Sequence, residues 1–386
     1  MLDICHRIAR HDLNPMRDTL VNRAFATACE LPLRGLKTYQ KQPFAVRAVR
    51  DGEEVVLEEH VVASLPFADL VGFSVDDAHS KPKVLIAAAL SGHHATLLQD
   101  TVRGFARDFD PYITDWKDAR QVPPEAGDFG VDDYIDYLIR FIETLGPGTH
   151  LVATCQAAPP ALVAAAVLAE RNPACAPASL TLMAGPVDTR VNKNVLNKIT
   201  EKIPLSVFSA NNIHTLPAGF PGSGRRVYPG FYQLSGFILL NPMPHLKKHF
   251  SFVKDAVSGD EDSTNYFRTF YDEYFCVLDM TESFYIESLR KFFFEHHIPT
   301  GRMTFDGRLV DFSAIENMPL LTVEGGNDGF CPPGQTQAAH AICVNIPDAK
   351  RRHHVQEGVG HYGVFSGSRF QSEIYPVIRE FMRTTH

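Results

Sequence analysis

Three side chains stand out by type and setting: Cys155, Asp328 and His361. Cys155 closes the apolar run HLVAT and is followed at once by small residues and a helix-like stretch, QAAPPALVAAAVLA. A side chain at such a strand-to-helix corner is lifted from the sheet's C-terminal edge, and the first turn of the next helix offers it free amide donors. This is the setting of the G-x-S-x-G nucleophile elbow, degraded here, since cysteine stands for serine and Ala153 and Ala157 for the flanking glycines. By itself it reads equally as a buried cysteine at the end of a core strand. Asp328 lies in TVEGGNDGFCPPG and His361 in VQEGVGHYGVF, each in a glycine-rich loop after an apolar strand. Alone, Asp328 reads as a turn former, and His361 is one of 17 histidines. Together the order nucleophile, acid, histidine matches the α/β-hydrolase scheme and differs from the orders of chymotrypsin and subtilisin.

Such chemistry also needs donors for the oxyanion. KVLIAAALSGHHATLL opens a buried strand into Ser91-Gly92-His93-His94, the place where hydrolases take one backbone donor. The amides of Gly92 or His93 are the candidates for it, and the amide of Gln156, next after the nucleophile, supplies the second donor. The His-His pair reads equally as an ordinary polar loop. A metal site from His93, His94, His353 and His354 lacks HExxH or comparable spacing, so no metal and no cofactor is expected.

The elements that must hold these residues are legible as runs. From about Phe44 to Val75, alternating segments split by Asp51-Gly52 and Pro66 predict antiparallel strands at a sheet edge. Between Lys83 and Ala184, continuous apolar runs (VLIAAAL, PYITDW, HLVATC, SLTLMAG) alternate with helical stretches such as VDDYIDYLIRFIETLG, the pattern of a parallel sheet covered on both faces. It returns in MPLLTVEGG, RRHHVQEG and a final amphipathic helix. The expected fold is therefore a mostly parallel α/β-hydrolase sheet in two pieces, 1–185 and 312–386, around an insertion at 186–311. That insertion holds about half of the phenylalanines and tyrosines in about a third of the chain, enough for a dense helical core or an exposed apolar surface.

Composition excludes other classes. The 386 residues are 45% hydrophobic and 21% charged, as in globular proteins, and the net charge of -8 opposes nucleic-acid binding. The seven cysteines form no CxxC pair, which suggests reduced thiols in a cytoplasmic chain. No secretory signal or membrane-spanning run is read from the sequence; the longest apolar stretch, Ala157 to Ala169, contains two prolines and reads as a buried helix.

The stretches PKVLIAAALSGHHATLLQDTV, DPYITDWKDARQVP, FGVDDYIDYLIRFIETLGPGTHLVATCQ, ASLTLMAGPVDTRVNKNVLN, LLTVEGGNDGFCPPGQTQAAH and EGVGHYGVFSGSRF carry a resemblance over most of the chain from about residue 80. The sequence resembles the intracellular poly(3-hydroxybutyrate) depolymerases, α/β-hydrolases with a cysteine nucleophile. By that resemblance Cys155 is the nucleophile, His361 the general base and Asp328 its orienting acid. The implied partners are a polyhydroxyalkanoate polymer or granule surface and 3-hydroxybutyrate oligomers, with coenzyme A as an alternative acyl acceptor to water. Ser91, His94, Phe231 and Tyr285 are the expected substrate contacts, the region from Phe231 to Tyr285 forming a cap over Cys155. Two local departures are Ala157, where members usually carry proline after the Cys-Gln pair, and Asp-Gly in place of Asp-Asp in the acid loop. The competing readings are a polyhydroxyalkanoate synthase, usually longer and with a glycine-flanked elbow, and a granule-binding protein without catalysis.

Overall fold

A computed structural model of the chain describes residues 1–36, 39–50, 53–74, 81–240 and 242–384. It divides into two compact units, Met1–Gln42 with Gln233–Val277, and Pro43–Tyr232 with Leu278–His386.

The larger unit is built on an eight-stranded sheet of β1 (Glu58–Leu65), β2 (Ala68–Ser74), β3 (Lys83–Ala87), β4 (Asp110–Trp116), β5 (His150–Thr154), β6 (Leu180–Met183), β7 (Leu320–Gly325) and β8 (Arg351–Gln356). Their spatial order is β1-β2-β4-β3-β5-β6-β7-β8. β1 and β2 run antiparallel to their neighbours, and every pair from β4 to β8 is parallel. Burial follows that change. β1 has no buried residue, and Glu58 and Glu59 are both exposed, whereas β4, β5, β6 and β7 are buried along their whole length. A strand sandwiched between helices has no polar face, which is why these segments read as continuous apolar runs. Of the antiparallel edge expected from Phe44 to Val75, Asp51, Gly52 and Val75 lie outside the described residues. The segments beside the first two form a separate hairpin, Arg47–Arg50 against Glu53–Val56.

The helix Ala158–Arg171 is buried from Ala158 to Leu168, so the alanine-rich run that follows Cys155 packs at the centre of the core. Small side chains let it approach the sheet closely. The helix Val131–Leu145 turns Tyr134, Ile135, Leu138, Phe141 and Ile142 inward at the spacing of one helical face. Among the described residues no helix is long and apolar enough to cross a membrane.

The smaller unit is helical: Leu2–Arg10, Leu20–Leu36, Pro242–Ser258 and Glu261–Tyr274. Its division differs from the single insertion at 186–311 read from the sequence. Only 233–277 of that span belongs to it, and the chain's first 42 residues join it. The reason is the partner of Leu20–Leu36, which packs on Pro242–Ser258 and is tied to Glu261–Tyr274 by ion pairs. Arg268 makes a two-pronged contact with Glu30 at 2.7 and 2.9 Å, and Arg34 meets Asp272 at 2.6 Å. Other aromatics of the span, Phe284, Phe292 and Phe305, are buried in the hydrolase core instead. In the run Phe292-Phe293-Phe294 only Phe292 is fully buried, because successive helical residues face different sides.

Candidate active site

Cys155 sits where β5 turns into a single 3-10 turn, Cys155–Ala157, ahead of the helix Ala158–Arg171. Its φ is +52°, in the left-handed region that L residues avoid. That conformation costs about 1–2 kcal/mol and persists only where surroundings enforce it. Gly185, at the neighbouring strand end, leaves the room that the elbow needs. A Cβ at 185 would lie 2.1 Å from the Ala158 Cβ and 3.0 Å from the Cys155 carbonyl oxygen. Gly185 is itself clamped, donating to Thr336 Oγ1 at 2.8 Å while its carbonyl accepts from the same hydroxyl at 3.0 Å.

His361 Nε2 lies 3.1 Å from Cys155 Sγ, and His361 Nδ1 lies 2.7 Å from Asp328 Oδ2. The three residues singled out in the sequence, 206 positions apart at the extremes, thus form one chain of contacts. Asp328 Oδ1 accepts the backbone N–H groups of Phe330 at 2.8 Å and Cys331 at 2.9 Å, which fixes the carboxylate while its other oxygen faces the imidazole. The acid and histidine loops follow adjacent strands and are stitched together by Gly326 N donating to Gln356 O and Asn327 N to Val359 O, both at 2.9 Å. Gly325 permits that approach, since a Cβ there would meet the Val359 carbonyl at 2.7 Å. The rings of Phe330 and Phe365 lie 5.3 and 5.2 Å from the imidazole and wall it from water.

Burial works against charge on His361. Asp328 first, and Cys155 next, outweigh it and hold the imidazolium well above the ordinary imidazole range. Cys331 is the opposite case. It is fully buried, and burial followed by the nearby Asp328 pushes its thiol well above the usual range, so it stays a neutral thiol.

The loop after β3 is anchored by residues that the sequence reading placed only as strand and helix. Ala88 N donates to Thr114 Oγ1 at 2.9 Å, and Ala88 O accepts from both Trp116 Nε1 at 2.7 Å and Tyr134 OH at 2.6 Å. The two rings stack at 4.2 Å. A lone tryptophan beside a threonine in PYITDW, followed by a tyrosine on the next helix, was the available signal. Beyond it, Gly92 has φ +84°, its amide donates to the Leu90 carbonyl at 2.8 Å, and its carbonyl accepts from Leu278 N at 2.9 Å. The Gly92 amide, one of the two expected loop donors, is therefore already engaged. His93 is buried, with its ring edge-on to Tyr362 at 6.4 Å, while Ser91 and His94 are half-buried. Gln156 lies in the first turn after the elbow, where an amide has no carbonyl a turn earlier to bind.

Phe231 and Tyr285 fall in a different cluster. Tyr285 stacks face to face on Tyr228 at 3.9 Å and accepts from Asn212 Nδ2 at 3.0 Å. Phe231 is 56% exposed and leans on Tyr232 at 4.4 Å. His353 and His354 point to opposite faces of β8, one bonded to Thr322 Oγ1 at 2.8 Å and the other to Gln356 Oε1 at 3.0 Å. Among the described residues no group of His, Cys, Asp and Glu side chains is arranged to hold a metal ion.

Solved structures share this architecture. The epoxide hydrolase of Bacillus megaterium aligns at 14% identity over 84% of this chain and 100% of its own, with a TM-score of 0.50. An α/β-hydrolase from Penicillium aligns at 12% identity over 86% and 99%, with a TM-score of 0.49, and an esterase from Thermogutta terrifontis at 13% over 86% and 100%, with 0.44. At this identity the likeness to the epoxide hydrolase speaks for the fold, which is the α/β-hydrolase fold, and not for a substrate. No curated protein matches the sequence. Residues 184–386, more than half of the chain and including Asp328 and His361, match the family model described as PHB de-polymerase C-terminus. The chain is thus a hydrolase-fold protein that belongs to the poly(3-hydroxybutyrate) depolymerase family.

Proposed function

We propose that the chain hydrolyses the ester bonds of poly(3-hydroxybutyrate) through an acyl-cysteine intermediate, with Cys155 as nucleophile, His361 as general base and acid, and Asp328 as the group that orients His361. The observation that carries this reading is the continuous contact from Cys155 Sγ through both imidazole nitrogens to a buried carboxylate. A free thiol near pKa 8.5 is only a few per cent ionised at about pH 7. The thiol therefore gives its proton to His361 during attack, and Asp328 stabilises the imidazolium that results.

The thiolate adds to the ester carbonyl, and the oxyanion accepts from the Gln156 amide and from an amide of the loop 91–94; a donor of this kind is worth roughly 10²–10³ in rate. Collapse breaks the bond between the carbonyl carbon and the alkoxy oxygen, and His361 returns its proton to the departing hydroxyl. Water then attacks the thioester, losing a proton to His361, and the hydroxy acid leaves as Cys155 is regenerated. Coenzyme A in place of water gives a hydroxyacyl thioester by the same sequence. Ser91 and His94 of the oxyanion loop, and the aromatic residues Phe231 and Tyr285, are the proposed substrate contacts. The proposed location is the cytoplasm, at the surface of polymer granules.

The test is incubation with amorphous poly(3-hydroxybutyrate) granules and assay of released 3-hydroxybutyrate and its oligomers, with Cys155→Ala and Cys331→Ala as controls. Release by the native chain and Cys331→Ala, and not by Cys155→Ala, is expected. Undiminished release by Cys155→Ala discards the nucleophile, and no release by any of the three discards the substrate. A thioester appearing only when coenzyme A is present identifies thiolysis.

A further inference from the structure

Release of the alkoxy oxygen fixes which residues meet the leaving half of the ester. In the tetrahedral adduct the former carbonyl carbon carries the Cys155 sulfur, the oxyanion, the acyl chain and the alkoxy oxygen. A general acid must come within about 2.6–3.2 Å of the oxygen that it protonates. The alkoxy oxygen therefore lies at His361 Nε2, while the oxyanion lies toward the backbone donors. The groups borne by the alkoxy carbon then fall on the side chains that surround the imidazole and still have surface to offer.

The rings of Phe365, Phe330 and Tyr362 pack on that imidazole, with centroids 5.2, 5.3 and 5.7 Å from it. Phe365 is buried, whereas Phe330 and Tyr362 are half-buried and keep accessible surface. These two rings lie 6.3 Å apart, edge to face at 74°, and make an apolar corner. The corner is braced from three sides. Phe330 belongs to the acid loop, where its amide is held by Asp328 Oδ1 at 2.8 Å, and Tyr362 follows His361 directly. Tyr362 also meets the buried ring of His93, on the oxyanion loop, edge-on at 6.4 Å. A corner of two braced rings takes a methyl group and resists a longer chain, because packed side chains yield to extra volume only at a cost. In poly(3-hydroxybutyrate) the alkoxy carbon is secondary, and one of its two carbon substituents is a methyl group.

We propose that Phe330 and Tyr362 form the leaving-group subsite, closing on the methyl group of the alkoxy carbon and selecting short side chains on that half of the ester. The assignment rests on the catalytic reading above, since proton return from His361 is what places the alkoxy oxygen.

The test uses soluble esters that change one half at a time. Pentan-2-yl and heptan-4-yl 3-hydroxybutyrate differ in whether a methyl or a propyl group stands on the alkoxy carbon. Pentan-2-yl 3-hydroxybutyrate and 3-hydroxyhexanoate differ in the same way in the acyl half. The native chain should favour the pentan-2-yl over the heptan-4-yl ester at least about tenfold in kcat/KM, the scale on which an apolar pocket discriminates by methylenes. Phe330→Ala and Tyr362→Ala should each lower that ratio about fivefold or more and leave the acyl ratio as it was. Each ratio is taken on one preparation, so a variant that folds in low yield still reports. Phe330→Leu and Tyr362→Leu, which keep an apolar side chain in the corner, should move the alcohol ratio in the same direction by less. An unmoved alcohol ratio, or an acyl ratio that moves with it, overturns the subsite. Cys155→Ala assayed on the pentan-2-yl ester separates that failure from failure of the catalytic reading. Retained hydrolysis overturns the nucleophile, whereas lost hydrolysis beside unmoved ratios in the ring variants overturns the subsite alone. No hydrolysis of either alcohol ester by the native chain overturns both.

Discussion

Cys155 holds a conformation that suits glycine, yet glycine there has no thiol, and that conflict separates stability from chemistry. At φ +52° a residue with a Cβ is strained, while glycine is not. Cys155→Gly is therefore expected to be more stable than Cys155→Ala by about 1 kcal/mol, although both lose turnover. Equilibrium denaturation of the two variants checks this, and a less stable glycine variant would show that the elbow is not strained. His361 gives a second residue-scale expectation, with the sign set by its raised folded-state pKa. A group whose pKa rises on folding stabilises fully below its unfolded value, near pH 6.5, and loses that contribution as pH climbs through the folded value. The stability cost of His361→Gln should thus be largest below about pH 6.5 and shrink as pH rises above it. A cost independent of pH would mean that the Asp328 pairing does not favour the charged ring. That Cys155, Asp328 and His361 each follow a strand was legible in the sequence; the left-handed turn and Gly185 beneath it were not, since they depend on backbone approach between strands distant in sequence.

At the scale of elements, the acid loop depends on a carboxylate that takes no part in the proposed chemistry. Glu324, on β7, is 0% exposed; its Oε1 accepts from Thr336 N at 2.7 Å and Gln337 N at 3.0 Å, and its Oε2 from Gly334 N at 2.7 Å. His353 Nε2 approaches the same oxygen at 3.7 Å. These contacts pin the far end of the loop whose near end carries Asp328, and through Thr336 they reach Gly185 and the elbow. Glu324→Ala leaves one buried and two part-buried amides without acceptors, the buried one alone at about 1–3 kcal/mol, against a typical folding free energy of about 5–15 kcal/mol. Glu324→Gln keeps one oxygen and should lose roughly half as much. With a soluble ester, kcat should fall further than KM changes, since the loop positions His361 rather than substrate. An alanine variant within about 1 kcal/mol of the native chain would remove Glu324 from this role. The signal was present in the sequence as a lone acid inside LLTVEGG, because a charge in a fully buried parallel strand must be satisfied by something; which amides satisfy it is a matter of loop packing that spacing does not encode.

For the whole molecule, periodicity identified the parallel sheet strand by strand, while the helical unit is divided differently from the span that composition suggested, for one reason. A helical pattern gives a face but no partner, and the partner of Leu20–Leu36 lies more than two hundred residues away, as the Glu30–Arg268 pair shows. The same unit presents an apolar face of its own. Met243, Leu246, Phe250 and Val253, spaced three, four and three apart along Pro242–Ser258, are all exposed, with Phe250 at 74%. An amorphous polyester is an apolar solid with few hydrogen-bond donors, so a dissolved chain that cleaves it must adsorb by apolar contact. Covering one such side chain is worth up to about 1.5–3 kcal/mol. The double variant Leu246→Ser, Phe250→Ser should therefore partition onto granules at least about tenfold more weakly while hydrolysing soluble 3-hydroxybutyrate oligomers at the native rate. Sedimentation of granules with bound protein, run beside an oligomer assay, separates the two effects. Unchanged partition would assign adsorption to another surface, and a parallel loss of oligomer hydrolysis would mean that the face supports the fold or the catalytic site instead.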